Sequence, residues 1–136
     1  MKKILLIFLL GILLIVGCGK TQDTTQTQDT RTQGNIIEIT SDIFSPNELR
    51  INAGDTVTWV SKDTKDSWPA SAVHPTHEKY PGSGITKCGT NEEQNIFDAC
   101  KGLKPGESWS FTFTQKGTWG YHEHLNLGRT GKIIVE

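Results

Sequence analysis

Four histidines occur in this 136-residue chain, and they fall into two pairs. His122 and His124 flank Glu123 at the end of Gly117-Thr118-Trp119-Gly120-Tyr121-His122-Glu123-His124, while His74 and His77 bracket Pro75 and Thr76. Neutral imidazole offers a nitrogen lone pair that suits Cu(II), and Cu(I) or Zn(II) is also accepted. Two pairs supplied by distant segments are how a β-scaffold assembles an imidazole-rich metal site. His74, His77, His122 and His124 are therefore the candidate ligands. The plainer alternative is two hydrogen-bonded or exposed histidines at a strand end and two more in a polar loop. Which of His74 and His77 would ligate stays open, and both together is one of the options. On a regular strand His122 and His124 face one side, with Tyr121 and Glu123 on the other. That register makes Glu123 a carboxylate just behind the imidazoles, or an outward charge, rather than a direct ligand. Trp68 either caps the site or simply packs. No acid–base pair or substrate-binding pattern is visible, and no catalytic residue is assigned.

The elements that must position these residues read as short strands. Ile36-Ile37-Glu38-Ile39 is rich in β-branched residues, and Leu49-Arg50-Ile51 alternates apolar and polar. Thr56-Val57-Thr58-Trp59-Val60 places Val57 and Trp59 on one face. Ser108-Trp109-Ser110-Phe111-Thr112-Phe113-Thr114 is the cleanest alternation, aromatics inward and hydroxyls outward. Gly131-Lys132-Ile133-Ile134-Val135 closes the chain. Trp59, Trp109, Phe111, Phe113, Trp119 and Tyr121 are expected in the core. Turns are marked by Phe44-Ser45-Pro46-Asn47, by Asn52-Ala53-Gly54-Asp55 and by Lys104-Pro105-Gly106-Glu107. Residues 61–104 lack periodicity, apart from a weak helical signal around Glu92 to Ala99. An irregular segment of that length inside a compact domain is usually functional or stapled. Short strands between regular turns imply an all-β sandwich.

The N-terminus has a different character. Met1-Lys2-Lys3 precedes an apolar run from Ile4 to Val16, which is too short to span a bilayer comfortably and fits a signal-peptide core. Gly17 directly before Cys18 resembles a bacterial lipobox, which implies removal of residues 1–17 and a lipid on Cys18. An ordinary secretory signal or an uncleaved anchor is the alternative. Residues 18–34 are almost entirely Thr, Gln, Asp and other polar types, and read as a flexible tether. The domain then occupies residues 35–136. With Cys18 lipidated, Cys88 and Cys100 remain as an even pair outside the cytoplasm, where a disulfide is expected to persist. Such a bridge would contribute roughly 3 kcal/mol on the chain-entropy view. Two thiolate ligands are the alternative, although the spacing matches no compact metal motif. A net charge of −1 argues against nucleic acid as a partner.

Phe44-x-Pro46, Ile51-x-x-Gly54-Asp55-Thr56-Val57-Thr58-Trp59, Gly117-Thr118-Trp119-x-Tyr121 and Gly131-Lys132-Ile133-Ile134-Val135 occur in this order. As a set they resemble the cupredoxin family across residues 35–136. The resemblance implies a Greek-key β-sandwich that binds copper at one end and passes electrons to a redox partner. One ligand would come from the loop after the Gly-Asp-x-Val-x-Trp strand and the rest from the loop between the last two strands. A blue-copper member would carry cysteine two residues after the tyrosine, then histidine and methionine. This chain has Glu123, Asn126 and Arg129 at those places, and no methionine after Met1. Without a thiolate the blue site is not expected. Tyr121-His122-Glu123-His124 instead resembles the Tyr-His-x-His strand of multicopper-oxidase domains, whose histidines bind non-blue copper. Trp68, Ala70, Ser71, His74, Pro75, His77, Tyr80 and Pro81 also resemble a small group of exported cupredoxin-like proteins.

The expectation is thus a membrane-tethered, extracytoplasmic copper protein, in a periplasm or at a cell surface, with a long disulfide-stapled loop and a histidine-only site. Its role would be copper handling or electron transfer, with a protein that delivers copper or exchanges electrons as partner. Zinc is the other metal the site would accept. A non-blue copper redox enzyme and a metal-free binding module are the rival readings.

Overall fold

The computed structural model describes residues 34–136. The expected signal segment, the lipidation site at Cys18 and the tether up to residue 33 lie outside the described residues. Eight strands occur in the order β1 (Ile36–Ile39), β2 (Phe44–Ser45), β3 (Glu48–Ile51), β4 (Thr56–Ser61), β5 (Pro69–Ser71), β6 (Ser108–Thr112), β7 (Gly117–Glu123) and β8 (Asn126–Val135). They form two four-stranded sheets, β2-β1-β4-β6 and β3-β8-β7-β5. The β1–β4 and β3–β8 pairs are parallel and the others antiparallel, so the chain crosses between sheets as a Greek-key sandwich requires.

Alternation explains the layering. Along β4, Val57 and Trp59 are wholly buried; Phe111 on β6 is buried and Phe113 just beyond it wholly so. The hydroxyls between them meet across the outer face: Thr56 with Thr112 at 2.7 Å and Thr58 with Ser110 at 2.8 Å. Trp59 is the centre of the core, with ring centroids 5.2–5.5 Å from Trp109, Phe97 and Tyr121. Trp109 and Trp119 are only partly buried and pack against this core from its edge. Tyr121 lies over Gly131, where an added Cβ would stand 2.5 Å from the phenol Cζ and Oη. Only glycine lets β8 approach the tyrosine that ends the core.

Three details differ from the sequence expectation. Phe44-Ser45 is a short paired strand as well as part of a turn. The last strand begins at Asn126 rather than Gly131 and pairs with β7 from Thr130 to Val135 and again at Asn126, across a register shift. The helical signal near Glu92–Ala99 becomes one 3-10 turn, Glu93–Asn95, with a second at Ile85–Lys87. In the otherwise irregular 61–104 segment, Pro69–Ser71 joins the sheet edge as β5, paired with β7. The remainder folds back on it: Ser71 N–H donates to Phe97 O at 2.8 Å and Ala99 N–H to Pro69 O at 3.1 Å. Cys88 and Cys100 form a disulfide that closes this return loop.

Candidate metal centre

The His74–His77 loop is shaped by its own polar groups. Ser71 Oγ accepts the Tyr80 N–H at 2.8 Å, Ala72 O accepts the Lys79 N–H, and Val73 O accepts the His77 N–H at 2.7 Å. These bonds close residues 72–79 into a tight excursion from β5 that returns His77 to the sheet. His77 adopts φ 61°, the left-handed region, which a histidine enters more readily than a β-branched residue. Tyr80, part of the motif carrying the histidines, is a structural corner. Its hydroxyl accepts the Thr114 and Gln115 N–H groups at 3.0 and 3.2 Å.

Because β5 pairs with β7, Ala70 stands opposite His122, and the loop after β5 meets the end of β7. The four imidazoles therefore converge. Each offers a ring nitrogen, and these four nitrogens all lie within 4.8 Å of one another. Ring centroids are 4.9 Å apart for His77–His122 and His77–His124, and 5.1 Å for His74–His124. His77 and His122 are buried, His124 is half-buried and His74 is exposed. The β7–β8 register shifts between His122 and Glu123, and β7 ends there, so His124 turns toward the cluster from just beyond the strand.

His77 and His124 already contact one another, Nε2 to Nδ1 at 3.0 Å. His122 has no hydrogen-bond partner at either ring nitrogen although it is only 5% exposed. An unpaired polar group costs free energy in such a place. Burial, and the cationic forms of His77, His74 and His124 nearby, push the His122 pKa down to about 4. Burial and the same neighbours also lower that of His124. Both shifts favour the neutral form of His122 and His124, which leaves each ring a nitrogen lone pair. Four nitrogen donors so placed suit a cation such as Cu(II) or Zn(II).

Two residues supporting the cluster escaped sequence reasoning. Asp98, 1% exposed, lies with Oδ2 2.5 Å from His77 Nδ1, and its Oδ1 accepts the Trp68 Nε1–H at 2.6 Å and the Cys100 N–H at 2.8 Å. Burial alone would raise its pKa, but these hydrogen bonds outweigh burial and hold the carboxyl below its usual range. The available signal was an acid inside the apolar run Ile96-Phe97-Asp98-Ala99, which no solvent-facing loop needs. Arg129 is the second. It is 5% exposed, with its guanidinium 2.6 Å from Asp63 Oδ2 and bonded to Thr40 O.

Trp68 does more than pack. Its ring lies against His124 with centroids 4.4 Å apart. The outward alternative for Glu123 is corrected, because its carboxylate is fully buried. Glu123 Oε1 accepts the Trp68 N–H at 2.6 Å and the Leu125 N–H at 3.2 Å. Its Oε2 is 3.7 Å from Arg129, an ion pair beyond hydrogen-bond reach. Burial raises the Glu123 pKa against those favourable contacts. The alternative of thiolate ligands at Cys88 and Cys100 is closed by their disulfide, although both sulfurs lie near Asp98.

Comparison with known proteins agrees with the architecture. Residues 32–136 match the family model for copper binding proteins of the plastocyanin/azurin family. The chain is 31% identical over 96 residues to plastocyanin of Scenedesmus fuscus, covering 69% of this chain and 87% of that protein. It is 28% identical over 103 residues to amicyanin of Paracoccus denitrificans, covering 74% and 64% respectively. Against the chloroplastic plastocyanin of Oryza sativa subsp. indica it spans 54% of that protein's length at 27% identity. Among solved structures, a purple cupredoxin from Nitrosopumilus maritimus superposes with a TM-score of 0.56 at 22% identity, covering 74% of this chain and 98% of that one. A Cu(I) amicyanin variant gives 0.55 at 22% identity, covering 76% and 82%. The fold, the order of its strands and the match over the whole described domain make this chain a member of the cupredoxin family of copper-binding, electron-transfer proteins.

Proposed function

We propose that this protein binds copper through His74, His77, His122 and His124, outside the cytoplasm and tethered to a membrane by a lipid on Cys18, where it handles copper or passes electrons. The observation carrying this reading is the convergence of four imidazoles around His122, a buried ring with neither nitrogen partnered. Copper held there would supply one-electron exchange. The chain's own residues do the rest. Burial and the neighbouring imidazoles favour the neutral, lone-pair-bearing form of His122 and His124. Trp68 shields one face of His124 from water. Asp98 and Glu123 fix the rings and the backbone from behind. The donor set contains no thiolate or thioether, so the centre is a non-blue one. Zn(II) is accepted by the same donors.

The extracytoplasmic placement is supported by the signal-like N-terminus and by a disulfide, which persists in oxidising compartments. Among the described residues no helix is long and apolar enough to cross a membrane, so a membrane tether falls to the N-terminal segment. Titrating Cu(II) into the purified chain tests the reading. One equivalent is expected to bind with an imidazole-type paramagnetic resonance spectrum and weak visible absorption. An intense blue charge-transfer band, or affinity unchanged when His122 and His124 are replaced by alanine, would refute it.

One observation favours a second reading. A cavity of about 300 Å³ borders the cluster, lined by Ala72, Val73, His74, Gly120, His122 and Leu127 among others. It gives a small molecule room beside two of the imidazoles, as a non-blue redox enzyme would need. Turnover of superoxide, oxygen or a nitrogen oxide by the copper-loaded chain would support that reading, and its absence would leave copper handling or electron transfer.

A further inference from the structure

We infer that Asp98 is a positioning residue that dictates which nitrogen His77 presents, and that Asp98 and Trp68 hold two of the four imidazoles in binding posture before any ion arrives. The inference rests on the four-histidine reading above, but its first step concerns the metal-free protein alone.

An ionised carboxylate only accepts hydrogen bonds. Oδ1 of Asp98 is filled by two groups that can only donate, the Trp68 indole N–H and the Cys100 backbone N–H. Oδ2 is left facing His77 Nδ1 at 2.5 Å, so the proton must reside on that nitrogen. In the neutral ring, Nε2 of His77 is then the lone-pair nitrogen, and it faces His124 Nδ1. The contact from His77 Nε2 to His124 Nδ1 at 3.0 Å is satisfied only if His124 donates. One carboxylate therefore fixes the tautomer of two rings in sequence. Turning the His77 ring over would take Nδ1 off Asp98 and set a ring carbon against that buried carboxylate oxygen. Trp68 ties the second ring to the same anchor, because its N–H rests on Asp98 while its face lies on His124.

Two features place Asp98 where it can act in this way. The Asp98 segment lies beside β5 through the Ala70–Asp98 bridge, and the disulfide closes the loop two residues further on. A carboxylate behind a ligating histidine raises its basicity and typically contributes 10- to 100-fold to metal affinity.

The test uses the full chain with 15N-labelled histidine. Imidazole correlation spectra of the metal-free protein at neutral pH are expected to show His77 protonated at Nδ1. In Asp98→Asn, the amide oxygen keeps accepting from Trp68 and Cys100 while the amide N–H turns to His77. His77 should then switch to the Nε2–H form, and affinity for Zn(II) and for Cu(II) should fall about 10- to 100-fold. Trp68→Phe keeps a ring against His124 and should leave the His77 tautomer unchanged, with a smaller loss of affinity. An Nε2–H His77 in the unsubstituted protein overturns the inference. So does a folded Asp98→Asn variant with unchanged tautomer and unchanged affinity. If that variant does not fold, the tautomer of the unsubstituted protein decides alone. Should the chain bind neither ion, the metal reading fails while the tautomer still reports on Asp98.

Discussion

Two neighbouring regions at the end of β7 solve the problem of buried polar groups in opposite ways. On one face, His122 and His124 join His74 and His77, and His122 is left with nothing to bond to. On the other, Glu123 is buried with Arg129 and Asp63, one guanidinium between two carboxylates, and its Oε1 is filled by two backbone N–H groups. The second cluster balances its buried charges internally, although Glu123 Oε2 and Arg129 Nε have no hydrogen-bond partner. The first gathers four imidazole nitrogens within 4.8 Å of one another. An unpartnered buried polar atom alone does not mark a binding site; convergent donors of one kind do.

The largest effect should come from breaking the ion cluster. Arg129→Met leaves Asp63 and Glu123 buried without their cation. It should lower unfolding free energy by about 3–5 kcal/mol in the metal-free chain, measured by denaturant titration. A loss under ~1 kcal/mol would mean the ion cluster is not sealed from water.

The imidazole cluster should respond in affinity instead. His122→Ala is expected to weaken Cu(II) binding about 100-fold by isothermal titration, roughly 2.7 kcal/mol. Equal copper affinity in the variant would show that the ion sits elsewhere.

The two faces should also titrate with opposite signs. His122 has a folded pKa near 4, below its unfolded value of 6.5, so the folded state binds fewer protons. Its contribution is complete above pH 6.5 and is lost as pH falls toward 4, on the order of 2–3 kcal/mol. Glu123 has a raised folded pKa, so its contribution favours the folded state as acid protonates it. Chemical unfolding of the metal-free chain from pH 7 to 4 should show a net loss that His122→Phe flattens. An unaltered slope in that variant would remove His122 as the cause.

The smallest expected effect is the most diagnostic. Glu123→Cys places a thiol where a blue-copper relative carries its ligand, yet the residue 123 side chain lies on the Arg129 face, away from the imidazoles. No intense blue band should appear on adding Cu(II). If one does, copper reaches the Glu123 face and the contrast between the two regions collapses.

Much of the scaffold was legible because alternation and turn residues act locally. Val57 and Trp59, or Phe111 and Phe113, announce an inner face by themselves, and the even cysteine pair announced its bridge. The four histidines were legible as candidates because nothing else in the chain offers imidazole. What stayed hidden depends on distant pairing. Asp98 becomes a partner of His77 only when its segment folds back along β5, 21 residues from that ring. Arg129 looks like a surface cation until Asp63 and Thr40, 66 and 89 residues away, are brought around it. Asn126 and Gly128 carry turn chemistry, which masked the first half of β8. Alternation turned Glu123 the right way but could not say whether water or a guanidinium waited there.

The unequal exposure of the four imidazoles has a kinetic consequence. His77 and His122 are buried and His124 is half-covered by Trp68, so His74 is the ring that meets solvent. Were copper held there as proposed, a competing donor from outside would have that one ring to replace first, while the three others kept their places. Exchange would then proceed by substitution at a single outer position rather than by release into bulk water. Speed of transfer and tightness of holding would become separately adjustable, the first at residue 74 and the second at the rings beneath it.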